Sequence, residues 1–342
     1  MLSKSSATGL TAFALLVVPA LANAQSVEQF YTGKTISFVV GAGAGGSYDV
    51  YARVLANHMS KYIPGKPPII VKLAGGVGGG IATAVQVEHS VPKDGTVMGM
   101  TQNTNVTSQL TEPSVAGKYD VSKWRWIGNI ANLRNMIAVW HTAPAQSLDE
   151  AKQKDVIVGA TGRNSPTFIV PQALNVLLGT KFKMVLGYNG VADLNLAMER
   201  GEIQARGASW ISVVAQAPGY ITDRKLKPLA VDGLTRDPLL PDVPTLVELA
   251  PTEEQKAAIR LISGANEFSR AAFLPPGTPE DRVDALRKAF DQTMKDPDFL
   301  AEALKVQIPI EPTDGASLDK LAKQIVASPP SAIKLAKEVL GD

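Results

Sequence analysis

Gly41, Gly43 and Gly46 stand at the spacing G-x-G-x-x-G directly after the apolar run 36–40. With that pattern a strand, a tight turn and a helix N-terminus hold a pyrophosphate. The same chemistry wants an acidic residue about 20 positions further on, at the close of the next strand, to hold a ribose. The next apolar run, 69–73, closes on Lys72 and Leu73 instead, and no G-K-[ST] follows these glycines. Hydrolytic chemistry has no better footing. No G-x-S-x-G elbow occurs, and His58, His89 and His141 lie too far apart to form a local metal pair. Asp49 with Asp193 or Asp232 would make a carboxylate pair, but the plainer reading puts Asp49 in the first turn of a helix and the other two in surface turns. No catalytic or metal-ligating residue is assigned, and no cofactor is expected.

What these residue types do support is the holding of an anion. The stretch 35–56, TISFVVGAGAGGSYDVYARVLA, runs from a β-branched strand through a glycine turn into a helix whose first N–H groups have no partners and carry the positive end of the peptide dipoles. Gly45, Gly46, Ser47, Tyr48 and Asp49 form this first candidate loop. A second one, ATGRNSPTF at 160–168, offers Gly162, Arg163, Asn164, Ser165 and Thr167. Each charge-assisted hydrogen bond from such a loop to a carboxylate is worth about 1.5 to 3 kcal/mol. Two loops facing each other can hold both ends of a dicarboxylate. Asp49 sits awkwardly beside an anion, so it either caps its helix or meets an amine or hydroxyl of the ligand.

The elements that must place these loops are legible from pattern. Runs 36–40, 69–73 and 96–100 read as buried strands, each of the first two followed by glycines and a helix, which makes right-handed βαβ units and a parallel sheet. The polar end of the third strand, with Asn103, lies where open α/β sheets bind ligands. Residues 118–128, with Trp124 and Trp126, read as the way out of a first domain. A second set follows: strands at 132–140, 156–159, 182–186, 203–205 and 226–231, the turn with Tyr188 and Asn189 after the third of these, and a polar rim 206–210 carrying Ser209 and Trp210 after the fourth. Strand 268–274 returns to the first set. Helices then run to the C-terminus, the last packing on the outside.

Bulk composition narrows the class. The chain has 342 residues, 45% of them apolar, no cysteine and a formal net charge of +2. Such a length usually splits into two domains, and a near-neutral charge makes nucleic acid a poor partner. Residues 1–24 read as a secretory signal peptide, with Lys4, an uncharged run 7–21 and Ala22-Asn23-Ala24 at the cleavage point. Removing them leaves 318 residues and takes the charge to +1, since Lys4 is their only charged side chain.

Taken together the motifs resemble the exported solute-binding proteins of tripartite tricarboxylate transporters. FVVGAGAGGSYDVYAR is similar to the family's first carboxylate loop and lays it on Gly45, Gly46, Ser47 and Asp49, with Arg53 on the helix. AGGVGGG with Pro92-Lys93-Asp94-Gly95 resembles the second glycine run and its turn. TGRNSPTF, then Gly187-Tyr188-Asn189-Gly190, resembles the second ligand loop, and LPDVPT at 240–245 and PGTP at 276–279 match late proline motifs. Gly41-Ala42 and Lys72-Leu73 depart from the residues that relatives commonly carry. The resemblance implies an α/β, two-lobed periplasmic binding protein of the type II-like, Venus-flytrap kind, with a ligand cleft between lobes. The expected division is 25–128 with 245–342 as one lobe and 129–244 as the other. The implied protein is a soluble, monomeric periplasmic receptor, without cofactor, that passes a mono-, di- or tricarboxylate to a membrane permease. An exported hydrolase or isomerase on the same scaffold, and a receptor for a signalling partner, are the alternatives.

Overall fold

A computed structural model describes residues 25–75, 80–163 and 165–340. The signal-peptide reading of 1–24, Asn164 and most of the second glycine run (76–79) lie outside the described residues. Eleven strands form two sheets among those described. The first sheet has the order β11-β4-β10-β3-β1-β2, from β1 (Ile36–Val40), β2 (Ile69–Leu73), β3 (Val97–Met100), β4 (Arg125–Asn129), β10 (Ala271–Leu274) and β11 (Thr313–Asp314). The second has the order β7-β6-β8-β5-β9, from β5 (Asn135–Trp140), β6 (Val156–Ala160), β7 (Phe182–Leu186), β8 (Ala205–Ser209) and β9 (Leu226–Asp232). The mixed α/β, two-lobed architecture expected from the sequence is the one observed.

In the first sheet β1 runs parallel to both β2 and β3, as two βαβ units require, while β10 and β4 close it antiparallel. In the second, β6 is parallel to β7 and β8, and β5 is inserted antiparallel between β8 and β9. Because β5 and β10 run against their neighbours, the start of each lies at the same edge as the carboxyl ends of β3, β8 and β9. That edge is where ligands bind in open α/β sheets.

Residues 125–129 form β4, paired with β10 in the first sheet with Trp124 and Trp126 buried, and the chain passes from there to β5 of the second sheet. Several other local readings change. The returning strand begins only at Ala271, after a 3-10 turn over Ala265–Phe268. Residues 206–209 are strand rather than rim, paired to β5, with Arg206 fully buried. The C-terminal helix Pro330–Leu340 is not peripheral: it packs on the helices Glu253–Gly264, Pro166–Leu178 and Asn105–Thr111, with Ala336 and Val339 buried. Its apolar face joins the cores of both sheets into one cluster.

Phe273 is the pivot of the first sheet's core. Its ring stacks on Trp124 at 3.9 Å between centroids, and opposite it Gly99 leaves the space, since a Cβ there would come within 2.5 Å of the ring. Phe273→Ala is expected to lower unfolding free energy by about 3 to 5 kcal/mol, the usual cost of an aromatic cavity that cannot collapse. A urea titration read by tryptophan fluorescence checks this.

Candidate functional site

A cavity of about 360 Å3 opens between the two sheets at their shared edge. Tyr48, Asn103 and Arg270 line it from the first sheet's side, and Asn135, Ser209 and Asp232 from the second's. Pro166 and Ile169 of the second loop's helix and Leu340 of the C-terminal helix complete the wall.

Arg270 is the dominant group. It stands one residue before β10, is 5% exposed, and its guanidinium lies 4.0 Å from the Tyr48 ring centroid and 5.2 Å from that of Tyr51. One Nη donates to Ser47 Oγ at 2.6 Å and the other to the Ser269 carbonyl, while Nε is buried with no partner. Cation–π contact holds the charge in place without neutralising it. Sequence reading missed Arg270 by absorbing it into an apolar strand; a lone arginine in FSRAAFL was the available signal, because arginine is almost never fully buried unpaired.

The first loop is organised by its own aspartate. Gly45 takes φ +76°, the left-handed region that glycine enters freely, and its N–H donates to Asp49 Oδ2 at 2.9 Å. Arg53, one turn on, pairs with the other carboxylate oxygen at 2.6 Å. Asp49 is therefore turned back into its loop at the start of the helix Ser47–Met59, leaving Gly46 as a cap with no side-chain bond. Asp49→Ala is expected to cost about 1 to 2 kcal/mol of stability from the lost loop bond and ion pair. A thermal melt without ligand tests this.

The second loop closes on itself. Ser165 caps the helix Pro166–Leu178 through the Thr167 N–H, and the hydroxyls of Thr161, Ser165 and Thr167 bond one another at 2.8 to 3.2 Å. Gly207 of β8 lets this helix start come close, since a Cβ there would sit 2.8 Å from Thr167 Cα. Arg163 lies over the Phe168 ring at 5.5 Å and borders a separate depression with Gln172 and Lys183. Asn189 donates to Asp193 Oδ2 in the turn before the helix Val191–Glu199. Tyr188 and Trp210 pack in the second sheet's apolar cluster. Of the residues singled out from sequence, the fold thus brings Tyr48, Asn103 and Ser209 to the cavity, with Ser47 behind Arg270.

Asp232 is no surface-turn residue. It ends β9 at 4% exposure, its Oδ1 accepting from Ser263 Oγ at 2.5 Å and its Oδ2 from Asn266 Nδ2 at 2.9 Å. Burial pushes its carboxyl above the usual range, against the two hydrogen bonds that lower it. Asn266 in turn accepts from Asn103 Nδ2 at 3.3 Å, and the Asn103 N–H donates to Tyr48 Oη at 3.2 Å. One polar chain therefore crosses from Tyr48 to Asp232 along the cavity wall.

Two α/β lobes with a polar cavity at their common strand edge make the two-lobed architecture of periplasmic binding proteins. Over residues 51–334 the chain matches the model of the tripartite tricarboxylate transporter family receptor, and it belongs to that family of receptors. It is 26% identical over 299 residues to a UPF0065 protein of Cupriavidus necator, covering 86% of this chain and 83% of that one. Among solved structures it is similar to a TctC solute-binding protein from Polaromonas without ligand, with a TM-score of 0.68 and 22% identity over 89% of this chain and 98% of that one. It is also similar to MatC from Rhodopseudomonas palustris with bound malate, with a TM-score of 0.54 and 21% identity over 90% of this chain and 99% of that one. These structural likenesses bear on the fold. No helix among the described residues is long and apolar enough to cross a membrane.

Proposed function

We propose that this chain is a periplasmic receptor that captures one small organic carboxylate between its lobes and delivers it to a tripartite tricarboxylate-type permease. The observation that carries the reading is Arg270: a buried guanidinium at a cavity between two lobes, without a carboxylate partner among the described residues and with its Nε unpaired. Ser47, Tyr48, Asn103 and Ser209 provide the neighbouring donors and acceptors. Residues 25–128 with 245–342 and residues 129–244 act as the two closing bodies, and residues 1–24 are removed on export. A ligand that touches both bodies favours the closed state by the difference in its contacts. The malate bound by MatC fits the same class of ligand.

Native mass spectrometry of the protein as purified, then a thermal-shift screen of organic acids, tests this. A cognate acid at 100 times its dissociation constant adds about 2.7 kcal/mol of apparent stability, a shift of several degrees. The acid is expected back unaltered. Recovery of a chemically changed ligand, or the absence of any acid that shifts the melt, overturns the proposal.

A further inference from the structure

Among the described residues the chain passes between the two sheets twice, over residues 130–134 and again after Asp232. The two passages leave the second sheet side by side, since Asn135, the first residue of β5, is the register partner of Asp232, the last of β9. Arg134 joins three chain segments at this point. Its side chain is 6% exposed, and its two Nη atoms donate to the two carboxylate oxygens of Glu311 at 2.7 Å each, just ahead of β11 in the first sheet. One of them also donates to Thr235 Oγ1 at 3.2 Å, in the second passage. Gly233 makes room for the stem, because a Cβ there would lie 3.1 Å from Arg134 Cδ and 3.3 Å from its Cγ. A planar fork that meets a carboxylate at two points fixes direction as well as distance.

Ahead of Arg134 the first passage is fastened to the first sheet. Asn129 Oδ1 accepts from the Arg270 N–H at 2.7 Å, and the Ile130 N–H donates to the Arg270 carbonyl at 3.2 Å. Asn132 Nδ2 donates to Glu267 at 2.8 Å, and the Glu311 N–H donates to the Ile130 carbonyl at 3.0 Å. Residues 129–133 therefore move with the segment that carries Arg270. We infer that the Arg134–Glu311 pair is the pin of a hinge whose turning points are Arg134–Asn135 and Asp232–Gly233. Hinges are a few element-terminal residues that absorb the change in φ and ψ, and these two steps sit at adjoining strand ends. The inference rests on the two-lobed receptor reading above and deepens it. Asn135 and Asp232 line the cavity on one side of the pivot and Arg270 on the other, so turning here changes the spacing of the cavity walls. Arg134 is not among the lining residues and is thus a positioning residue. By holding both passages to one carboxylate it narrows the lobe orientations of the unliganded protein, and with them the freedom that closure has to remove.

The chain has no cysteine, so spin labels attach only where cysteines are introduced. Lys72→Cys on β2 and Lys183→Cys on β7 put one label on the outermost strand of each sheet, both at exposed positions. The distance distribution between them, measured by double electron–electron resonance without added ligand, reports lobe orientation. Arg134→Gln is expected to widen that distribution roughly twofold, and Arg134→Lys, which keeps the charge but not the fork, to widen it less. Glu311→Gln, at a side chain 40% exposed, is expected to act in the same direction and carries the test if Arg134→Gln does not fold. The double variant Arg134→Gln/Glu311→Gln is expected to widen it no more than Arg134→Gln alone, since the two groups act as one unit. A thermal melt separates a pin from a brace: a role in stability alone lowers the melting temperature and leaves the width unchanged. An unchanged width in both single variants overturns the inference and leaves the receptor reading intact, as does a double variant that widens well beyond either single. Failure of the organic-acid screen bears on the receptor reading alone, because no ligand enters this measurement.

Discussion

An Arg270→Met protein is expected to bind its carboxylate ligand at least about 10-fold more weakly while melting no lower than wild type. The loss follows from one or two charge-assisted hydrogen bonds of about 1.5 to 3 kcal/mol each, at 1.4 kcal/mol per decade of affinity. The retained melting temperature follows from the same burial. Methionine is long enough to stay between Tyr48 and Tyr51, which lie against the guanidinium in wild type. It also removes a charge that the unliganded fold holds without a counter-ion, at the cost only of the Ser47 and Ser269 contacts. The two readouts separate function from folding: calorimetry with the identified ligand, and a thermal melt without it. Affinity within threefold of wild type would take Arg270 out of the site.

The second large effect concerns stability and has the opposite relation to function. Arg206, in the middle of β8, is fully buried, and none of its three guanidinium nitrogens has a partner among the described residues. Its register partners are Ala138 and Gly159, and it is not among the residues that line the cleft cavity. Burial draws its pKa down from the usual arginine range to about 10, with the nearby Tyr220 opposing the shift. At about 1.4 kcal/mol per pKa unit, the charged form costs the fold on the order of 3 kcal/mol. Arg206→Met is therefore expected to raise stability by a similar amount at neutral pH and to leave ligand affinity unchanged. From about pH 10 upward the unfolded wild-type chain holds a proton at this site that the folded one releases, so wild-type stability gains with rising pH there. The advantage of Arg206→Met should accordingly be full below pH 10 and shrink above it. Urea midpoints of both proteins at pH 7.5 and 10.5 measure this, and a variant less stable than wild type at pH 7.5 would show that Arg206 has a compensating partner.

These two arginines also mark the limit of what linear pattern conveys. Both were placed in or beside apolar strands, as FSRAAFL and IQARGAS, and nothing in either string distinguishes a guanidinium that faces a cleft from one that faces a core. The difference is set by which sheet edge each strand delivers. β10 starts at the cleft because it runs against β3, whereas Arg206 sits inside β8 under the cluster containing Trp140, Tyr220 and Leu226. Asp232 illustrates the same point: as V-D-G it reads as an exposed turn, yet Ser263 and Asn266, more than thirty residues later, cover it.

By itself the sequence determined the local elements and the class. The apolar runs, glycine turns and capping residues specify β1 to β3, the helix that follows β1 and the helix behind Ser165, and the motif set marks the receptor family. Those features depend on neighbours within a few positions, where propensity and periodicity act. Which charges meet in the cavity, which loop hydroxyls are already spent on each other, and how the last helix ties both lobes together were decided only in three dimensions. They depend on strand order and on contacts between residues far apart in the chain, 223 positions in the case of Ser47 and Arg270, and a one-dimensional pattern carries no record of such pairings.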